Sequence, residues 1–322
     1  METPTLSVVI PVYNEASHLA ETMAALSAAI DRGAVDAEVI VVDDGSTDST
    51  AAAARASADG RADVRVVSQP NRGRFEARRT GLAHARGEYV LLLDSRARLA
   101  PGALRFVRER LASAPVWNGH VDVDADNAWG EFWRLLAELA WRDYFDDPRT
   151  TSFGLAEFDR YPKGTGCFLA PRSLLESAFA DFQSHYREIR LANDDTPILR
   201  AVAAQEPIHI SPEFRCSYAP RTTFRAFLRH AVHRGTVFLD GHGTPESRFF
   251  PAVVAFFPLS LALLGRPRLI PAALAACGAA AAAYGFAAGR SKREVEVLAT
   301  VTPVYALGHA LGMWRGALEL LR

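Results

Sequence analysis

The sequence is poor in cysteine and lysine, and its charges nearly cancel. Its three cysteines are far apart and form no CxxC pair, so neither a disulfide framework nor a zinc site is indicated. This usage is typical of a reducing compartment. Only two of the 322 residues are lysine, and the formal net charge is −1 at pH 7. Without an overall basic field, we expect no nucleic-acid partner.

Two further signals are missing from the N-terminal part. No charged stretch followed by an apolar stretch precedes residues 6–12, which read as a strand, so we expect this part of the chain in the cytoplasm. The turn after this strand lacks the GxGxxG pattern. That absence argues against a dinucleotide-binding site.

Strand and helix patterns alternate along residues 1–240, which we treat as one domain. Residues 19–30 have apolar positions at helical spacing, and the alternation predicts an α/β fold with a mainly parallel sheet. Further along, residues 116–123 predict a strand and residues 128–145 a long aromatic-rich helix. Four earlier apolar runs predict strands, at residues 6–12, 37–42, 64–68 and 89–93.

The sequence becomes strongly apolar within residues 241–322. Uncharged stretches at 249–265 and 269–289 are about long enough to cross a hydrocarbon core of ~30 Å, which predicts a hairpin of two membrane spans. Residues 301–321 predict a third membrane helix or an interfacial one. Three basic residues within 290–293 favour the cytoplasmic side for the end of the second span. The alternative is a buried helical pair in a soluble domain.

Two adjacent carboxylates end the second predicted strand. Ligands of open α/β sheets lie at the carboxyl ends of strands, where Asp43 and Asp44 can accept hydrogen bonds from a base or from ribose hydroxyls. The alternative is an Asp-Gly turn followed by a helix cap. A receiver-type signalling module also has an acidic pair at a strand end, but it needs a nearby lysine, and the first lysine here is Lys163.

Four segments, taken together, have the order and spacing of a known family. They are SVVIPVYNE, EVIVVDDGSTD, NRGRFEARRTGLAHARGEYVLLLDS and NDDTPILR. Over about residues 5–240 the chain resembles the family-2 glycosyltransferases, inverting enzymes with the GT-A fold. The C-terminal segment TPVYALGHALGMWRGALELLR is similar to the tail of membrane-bound members that build bacterial exopolysaccharides. The resemblance implies a nucleoside-diphosphate-sugar donor.

The resemblance also implies a donor pocket at the strand ends and on the helix that follows Gly73. Arg74 and Arg78 on that helix would face the donor, and the alternative for both is a solvated helix face. The residues implied at the donor site are Pro11, Tyr13, Glu15, Asp43, Asp44, Arg74, Arg78, Asp94 and Arg96.

The family's Asp-x-Asp motif, which holds a divalent cation, is incomplete in this sequence. Asp94 is present, but Arg96 stands in place of the second carboxylate. Two interpretations remain open. Arg96 partly replaces the cation with its own fixed charge, or Arg96 points to solvent while Asp94 binds Mg²⁺ or Mn²⁺ with other ligands.

Asp194 and Asp195 match the family's acidic pair, and the resemblance gives Asp195 the place of the general base. An inverting transfer needs one carboxylate to take the proton of the acceptor hydroxyl. The alternative is that Asn193 or Asp194 caps the helix that begins near Thr196. Both interpretations hold together if the cap orients its neighbour.

A glycine-rich loop and an arginine-rich segment are implied on the acceptor side. Residues 221–238 predict a basic amphipathic helix, which would bind anionic lipid headgroups or diphosphates. The alternative for this segment is a solvated face. The residues implied at the acceptor or diphosphate site are Lys163, Gly164, Thr165, Gly166, Arg221, Arg225 and Arg229.

These observations predict an inverting glycosyltransferase at the cytoplasmic face of the membrane. Its acceptor would be a hydroxyl of a polyprenyl-linked or cell-envelope glycan. One alternative is a polyprenyl-phosphate glycosyl synthase, whose acceptor phosphate needs no base. The other is a scaffold that binds a nucleotide sugar without catalysis.

Overall fold

The structure is a computed structural model that describes residues 5–58, 63–245 and 247–321. Its described residues divide into two compact units. The first lies within Met1–Asp122, Asp143–Gln183 and Asp194–Ala219, and the second within Val123–Arg142, Ser184–Asn193 and Pro220–Arg322. The predicted domain boundary between residues 240 and 241 therefore falls inside the second unit, and the outermost residues 1–4 and 322 of the predicted domains lie outside the described ones.

The strands are β1 (Leu6–Val12), β2 (Ala37–Asp43), β3 (Val64–Ser68), β4 (Tyr89–Leu93), β5 (Ala97–Leu99), β6 (Trp117–Val123), β7 (Thr151–Phe153), β8 (Cys167–Pro171) and β9 (Ile208–Tyr218). The helices are α1 (Ala16–Gly33), α2 (Thr50–Ala58), α3 (Arg74–His84), α4 (Ala103–Arg108), α5 (Ala128–Ala140), α6 (Arg142–Phe145), α7 (Arg172–Ala180), α8 (Asp195–Ala203), α9 (Phe224–His242), α10 (Phe250–Leu264), α11 (Ile270–Ala287) and α12 (Lys292–Leu320).

The first unit is built on one mixed sheet. Among the described residues it has nine strands in the order β3-β2-β1-β4-β8-β6-β9-β5, with β7 paired to β9. The pairs β1–β2, β1–β4 and β2–β3 are parallel, so these strands bring their carboxyl ends to one edge. The other half is antiparallel, beginning with β8 against β4. The sheet is therefore mixed, and the predicted parallel pairing describes its first half.

Helices cover both faces of the parallel half. Alternate residues of β1, among them Val8 and Ile10, are fully buried and belong to one apolar core with Leu19 and Leu26 of α1. On the opposite face, α3 comes so close to β1 that a Cβ at Gly81 would lie 2.2 Å from a Val9 methyl group. Burial on both faces explains why these strands read as continuous apolar runs.

The second unit is a helical assembly around α12. Phe132 of α5 and Phe227 of α9 share a buried cluster with Val301 of α12. Glycines let α12 approach α9 very closely, because a Cβ at Gly312 would lie 2.0 Å from the carbonyl oxygen of Val232. Helix α12 is thus tied to its neighbours by packing along much of its length.

Helices α10 and α11 leave most of their apolar side chains exposed. By length and composition alone, two helices of the described chain are suited to crossing a membrane, Pro267–Ala287 and Lys292–Leu320. The predicted span at 269–289 corresponds to the first of these. The predicted span at 249–265 is the 15-residue helix α10, which is shorter. The segment 301–321 is part of a 29-residue helix that begins at Lys292.

Candidate active site

The loops after β1 and β2 are joined to each other at the carboxyl edge of the sheet. Asn14 has a positive φ of 54°, and its side-chain oxygen accepts a hydrogen bond from the Thr47 backbone at 2.8 Å. The Glu15 backbone donates to the Thr50 hydroxyl at 2.8 Å. Next to these contacts Tyr13 is 46% exposed, whereas Pro11 lies within β1. The predicted donor residues Pro11, Tyr13 and Glu15 thus share one edge of the sheet.

Asp44 is buried and already accepts hydrogen bonds through both carboxylate oxygens. Oδ1 accepts from the Gln69 side chain at 2.7 Å and from the Arg72 backbone at 2.9 Å, and Oδ2 accepts from the Gly73 backbone at 2.8 Å. These bonds shape the turn that starts α3. Asp43 is also buried and accepts from the Ser46 backbone at 3.1 Å. The geometry gives Asp44 a part in holding this turn, and its predicted contact with base or ribose stays a prediction.

A buried arginine joins three carboxylates at the same edge. Arg78, 1% exposed, donates to Asp194 at 2.7 Å, to Asp94 at 2.9 Å and to Asp195 at 3.3 Å. Burial acts to lower the pKa of Arg78, and the surrounding carboxylates nevertheless raise it above its ordinary value. The solvated-face alternative is therefore wrong for Arg78, because its side chain points into a charged cluster.

Arg74 lies one helical turn before Arg78 and contacts the same acidic pair. Its guanidinium group is 3.2 Å from Asp194 and 3.5 Å from Asp195, and its side chain is 40% exposed. Asp195 first, and then Asp194, raise the pKa of Arg74. Two arginines of α3 thus face two carboxylates at the start of α8.

The acidic pair does not act as a helix cap through its side chains. Helix α8 begins at Asp195, and Asp194, in the N-cap position, makes no side-chain capping hydrogen bond. Its carboxylate, which is fully buried, binds the two arginines instead. Asp195 also accepts a hydrogen bond from the Thr165 hydroxyl. The side-chain capping alternative is therefore wrong for Asp194.

The loop before β8 reaches the cluster through its glycine and threonine. The Asp94 backbone donates to the Gly166 carbonyl at 2.8 Å, and a Cβ at Gly166 would lie 2.8 Å from Asp94 Oδ2. Only glycine leaves room for the Asp94 carboxylate there. Lys163, by contrast, donates to the carbonyls of Phe158 and Tyr161. Its contacts hold the loop, and its predicted role toward an acceptor or diphosphate stays a prediction.

Asn118 holds Gly164 and Glu15 holds Arg96, and neither of these contacts was predicted from the sequence. The Gly164 backbone donates to Asn118 Oδ1 at 3.0 Å. Arg96 donates through Nε to Glu15 Oε1 at 2.9 Å and through Nη1 to the Ala219 carbonyl at 3.3 Å. Arg96 is 14% exposed. The alternative that it points to solvent is therefore wrong.

A second set of hydrogen-bonded polar side chains in the first unit was not predicted from the sequence. His120 is buried, with Nδ1 2.9 Å from the Tyr144 hydroxyl and Nε2 3.1 Å from Asp122 Oδ1. The hydrogen bond to His120 lowers the pKa of Asp122, and burial raises that of Tyr144. The only available signal was the alternation of His120 and Asp122 along a strand, which does not reveal a tyrosine 24 residues away.

The predicted basic segment belongs to the second unit. Thr223 caps α9 by accepting from the Ala226 backbone at 3.3 Å, and Arg225 and Arg229 lie on that helix while Arg221 precedes it. Phe227 is fully buried on the same helix. The predicted amphipathic helix is present, and its predicted ligands stay predictions.

Part of the sequence matches a family model. Residues 7–160, a little less than half of the chain, correspond to glycosyl transferase family 2. The matched range contains the donor-side residues from Pro11 to Arg96, whereas Asp194 and Asp195 lie beyond it.

Curated relatives are similar to part of the chain. An undecaprenyl-phosphate 4-deoxy-4-formamido-L-arabinose transferase of Pseudomonas paraeruginosa is 31% identical over 206 residues, which are 58% of this chain and 57% of that protein. The succinoglycan biosynthesis protein ExoO of Rhizobium meliloti is 33% identical over 138 residues, which are 42% of this chain and 38% of the relative. The chain thus spans little more than half the length of the transferase and 38% of the length of ExoO.

Solved structures share the fold of the chain. The mannosyltransferase PcManGT from Pyrobaculum calidifontis, in complex with GDP-Man and Mn²⁺, has a TM-score of 0.59 at 22% identity, covering 98% of this chain and 88% of that one. TarS of S. aureus (residues 1–349), in complex with UDP-GlcNAc, has a TM-score of 0.56 at 17% identity, covering 98% and 90%. The predicted GT-A fold is thereby confirmed, and the family model supports the resemblance.

Proposed function

We propose that the chain is an inverting glycosyltransferase. It moves a sugar from a nucleoside-diphosphate donor to a hydroxyl group of a lipid-linked or cell-envelope glycan. The observation that carries this proposal is the grouping of Asp195 with Asp94, Arg78 and Thr165 at the carboxyl edge of the sheet. Ligands of open α/β sheets bind at this edge. The family-2 domain and the fold support the same reaction class.

Asp195 has the position and the exposure that a general base needs. Its side chain is 35% exposed, whereas that of Asp194 is fully buried, so the acceptor can reach Asp195 alone. Asp195 takes the proton from the acceptor hydroxyl while that oxygen forms a bond to the anomeric carbon. The bond from this carbon to the diphosphate oxygen breaks, and its electron pair leaves with the nucleoside diphosphate. Thr165 and the two arginines of α3 hold the carboxylate in place.

The acceptor is proposed to be membrane-bound, with the catalytic unit on the cytoplasmic side. Two helices of the described chain have the length and composition to cross a membrane. In addition, α10 and α11 expose large apolar side chains such as Leu259 and Phe286. Exposed apolar surface of this extent is typical of a protein that contacts lipid. The relative from Pseudomonas paraeruginosa is named for transfer to a polyprenyl phosphate.

A second candidate function is transfer to the phosphate of a polyprenyl carrier. Arg74 favours it, because a 40%-exposed guanidinium group beside Asp195 is suited to binding an anionic acceptor. In that reaction a phosphate oxygen is the nucleophile and no proton has to be removed. Asp195 would then position the arginine and would not act as a base.

An acceptor comparison with Asp195→Asn separates these functions. Full-length protein in detergent is tested with UDP-, GDP-, CDP- and dTDP-sugars against undecaprenyl phosphate and against a hydroxyl-bearing lipid-linked sugar. The proposal expects the variant to lose about 10²- to 10⁴-fold of transfer to the hydroxyl, with donor binding retained. The exposed Asp181→Asn is the matched control and should transfer normally.

Three other outcomes would count against the proposal. Transfer to undecaprenyl phosphate alone, with little loss in the variant, would establish the second function. Normal hydroxyl transfer by Asp195→Asn would exclude Asp195 as the base. Binding of a donor without turnover on any acceptor would support the non-catalytic scaffold.

A further inference from the structure

The triplet Asp94-Ser95-Arg96 is held rigidly between β4 and β5. The Ser95 carbonyl accepts from the Thr22 hydroxyl at 2.8 Å, and Arg96 is fixed through Nε by Glu15. Within the described chain, the Nη2 atom of Arg96 donates to no protein atom. The structure therefore presents an oriented guanidinium group with unused donors two residues after Asp94.

The residues around Asp94 do not fit a divalent cation. Mg²⁺ and Mn²⁺ are held by several oxygen ligands, and in proteins these are chiefly carboxylates. Asp94 Oδ1 is already bonded to Arg78 at 2.9 Å, and Arg96 would repel a cation at the third position of the triplet. Across the described residues, no group of three or more His, Cys, Asp and Glu side chains is arranged to hold a metal. The described residues around Asp94 thus do not supply the oxygen ligands that such a cation requires.

The charge of the triplet equals that of a metal-loaded site. Replacing a carboxylate by a guanidinium group adds two positive charges, which is also what binding one divalent cation adds. A diphosphate that approaches Asp94 and Arg96 therefore meets the same formal charge as it would beside two carboxylates and a bound cation. The nearby carboxylates are offset as well, since Arg74 and Arg78 pair with Asp94, Asp194 and Asp195, and Glu15 pairs with Arg96.

We propose that Arg96 binds the donor's diphosphate directly and that this site needs no divalent cation. The inference rests on the proposed function, since it assumes a nucleoside-diphosphate ligand. A guanidinium group matches phosphate oxygens with two parallel donors and is always charged, so it supplies a fixed positive charge at the leaving group. Glu15 orients this group through Nε and leaves the Nη2 side to the ligand.

The first test measures binding without any turnover. UDP, GDP, CDP and dTDP are titrated calorimetrically into metal-free full-length protein, once with excess chelator and once with Mn²⁺ or Mg²⁺. At least one of them should bind with dissociation constants that agree within about 3-fold in the two conditions, a difference that is small on the free-energy scale. Binding that appears only with metal would overturn the inference while leaving the proposed function standing. If none of the four binds in either condition, the proposed function itself fails.

The second test uses charge variants with a matched control. Arg96→Gln should weaken nucleoside-diphosphate binding in chelator by about 10- to 150-fold, the usual effect of losing a charged hydrogen bond. Arg98→Gln is the control, because Arg98 lies two residues further on and pairs with Glu21 at 3.1 Å and with Ser217. Its dissociation constant should match the wild type. Equal losses in the two variants, or no loss in Arg96→Gln, would contradict a direct role for Arg96.

A gain of metal binding provides a third readout. Arg96→Asp restores a pair of carboxylates, so Mn²⁺ binding followed by electron paramagnetic resonance should appear in this variant and be absent from the wild type. Thermal unfolding checks that the variant is folded. If Arg96→Asp does not fold, the wild-type titration in chelator alone decides whether nucleotide binding needs a metal. Stoichiometric Mn²⁺ binding by the wild type that tightens nucleotide binding would refute the inference.

Discussion

Arg78 is the buried charge whose removal should damage the first unit most. Its side chain is 1% exposed and lies within 3.3 Å of three carboxylates. Arg78→Met keeps the unbranched apolar part of the side chain and removes the charge. The fully buried carboxylate of Asp194 then retains Arg74 as its guanidinium partner, at 3.2 Å. In the variant the carboxylates of Asp94, Asp194 and Asp195 stay close together. One guanidinium group, that of Arg74, then remains where the wild type has two.

The magnitude follows from what it costs to break a buried ion pair. Removing one partner of such a pair destabilises a protein by about 3–5 kcal/mol, because the other charge stays buried. In a domain of this size each kcal/mol lowers the melting temperature by about 2–4 °C, so we expect a decrease of about 6–20 °C. Arg105→Met is the control, because Arg105 on α4 is 67% exposed and pairs with Glu109, which is 46% exposed. Such a surface pair contributes about 0–1 kcal/mol.

The assay is thermal unfolding followed by intrinsic fluorescence, in one detergent for all variants. A double variant, Arg78→Met with Asp194→Asn, should be less destabilised than the sum of the two single variants, because removing both charges leaves no uncompensated carboxylate at Asp194. A melting temperature for Arg78→Met within the range of Arg105→Met would refute the reasoning. So would strict additivity in the double variant.

Other predictions concern acid stability, helix packing and the membrane. Burial acts to raise the pKa of Glu38, but hydrogen bonds from Arg86 lower it below its ordinary value. The ionised Glu38 side chain therefore stabilises the folded protein fully at a pH above the pKa of the unfolded state. This stabilisation is lost as the pH falls through the pKa of the folded state. Glu38→Gln should therefore melt below the wild type at neutral pH, and the gap should close as the pH falls below the ordinary pKa of a glutamate; a gap that is constant with pH would contradict this. Gly312→Ala should destabilise by about 1–3 kcal/mol through the clash with Val232, whereas Gly265→Ala, with its nearest contact at 3.5 Å, should be near neutral. Full-length protein should sediment with membranes at high salt and be released by detergent; recovery in the soluble fraction would contradict the anchor.

The local sequence was enough to predict the parallel half of the sheet. Apolar runs of five to seven residues that end at Asp43 and Asp94 became β2 and β4, with the carboxylates at one edge as expected. Residues 128–145 became α5 and α6 with a break at Trp141. These elements follow from periodicity and from strand ends, which are local properties.

Contacts between distant residues were beyond the reach of local patterns. The ion pair of Arg78 and Asp194 joins positions 116 residues apart, and both partners had surface alternatives that the sequence alone did not exclude. The same holds for Arg96, whose partner Glu15 lies 81 residues earlier in the chain. The sequence alone does not show whether a charged side chain faces solvent or a buried partner. The contacts of these arginines were therefore visible only in the structure.

The glycine contacts between α9 and α12 bear on how the protein can be produced. A common way to obtain soluble enzyme is to end the chain before its apolar helices, here after Gly243. That cut would remove the helix whose Gly312 lies against Val232, and Phe227 would lose the α12 side of its buried cluster. The apolar side chains of α5 and α9 would then face water and promote aggregation. The intact chain in a nanodisc or a mild detergent is therefore the form in which kinetics and binding should be measured.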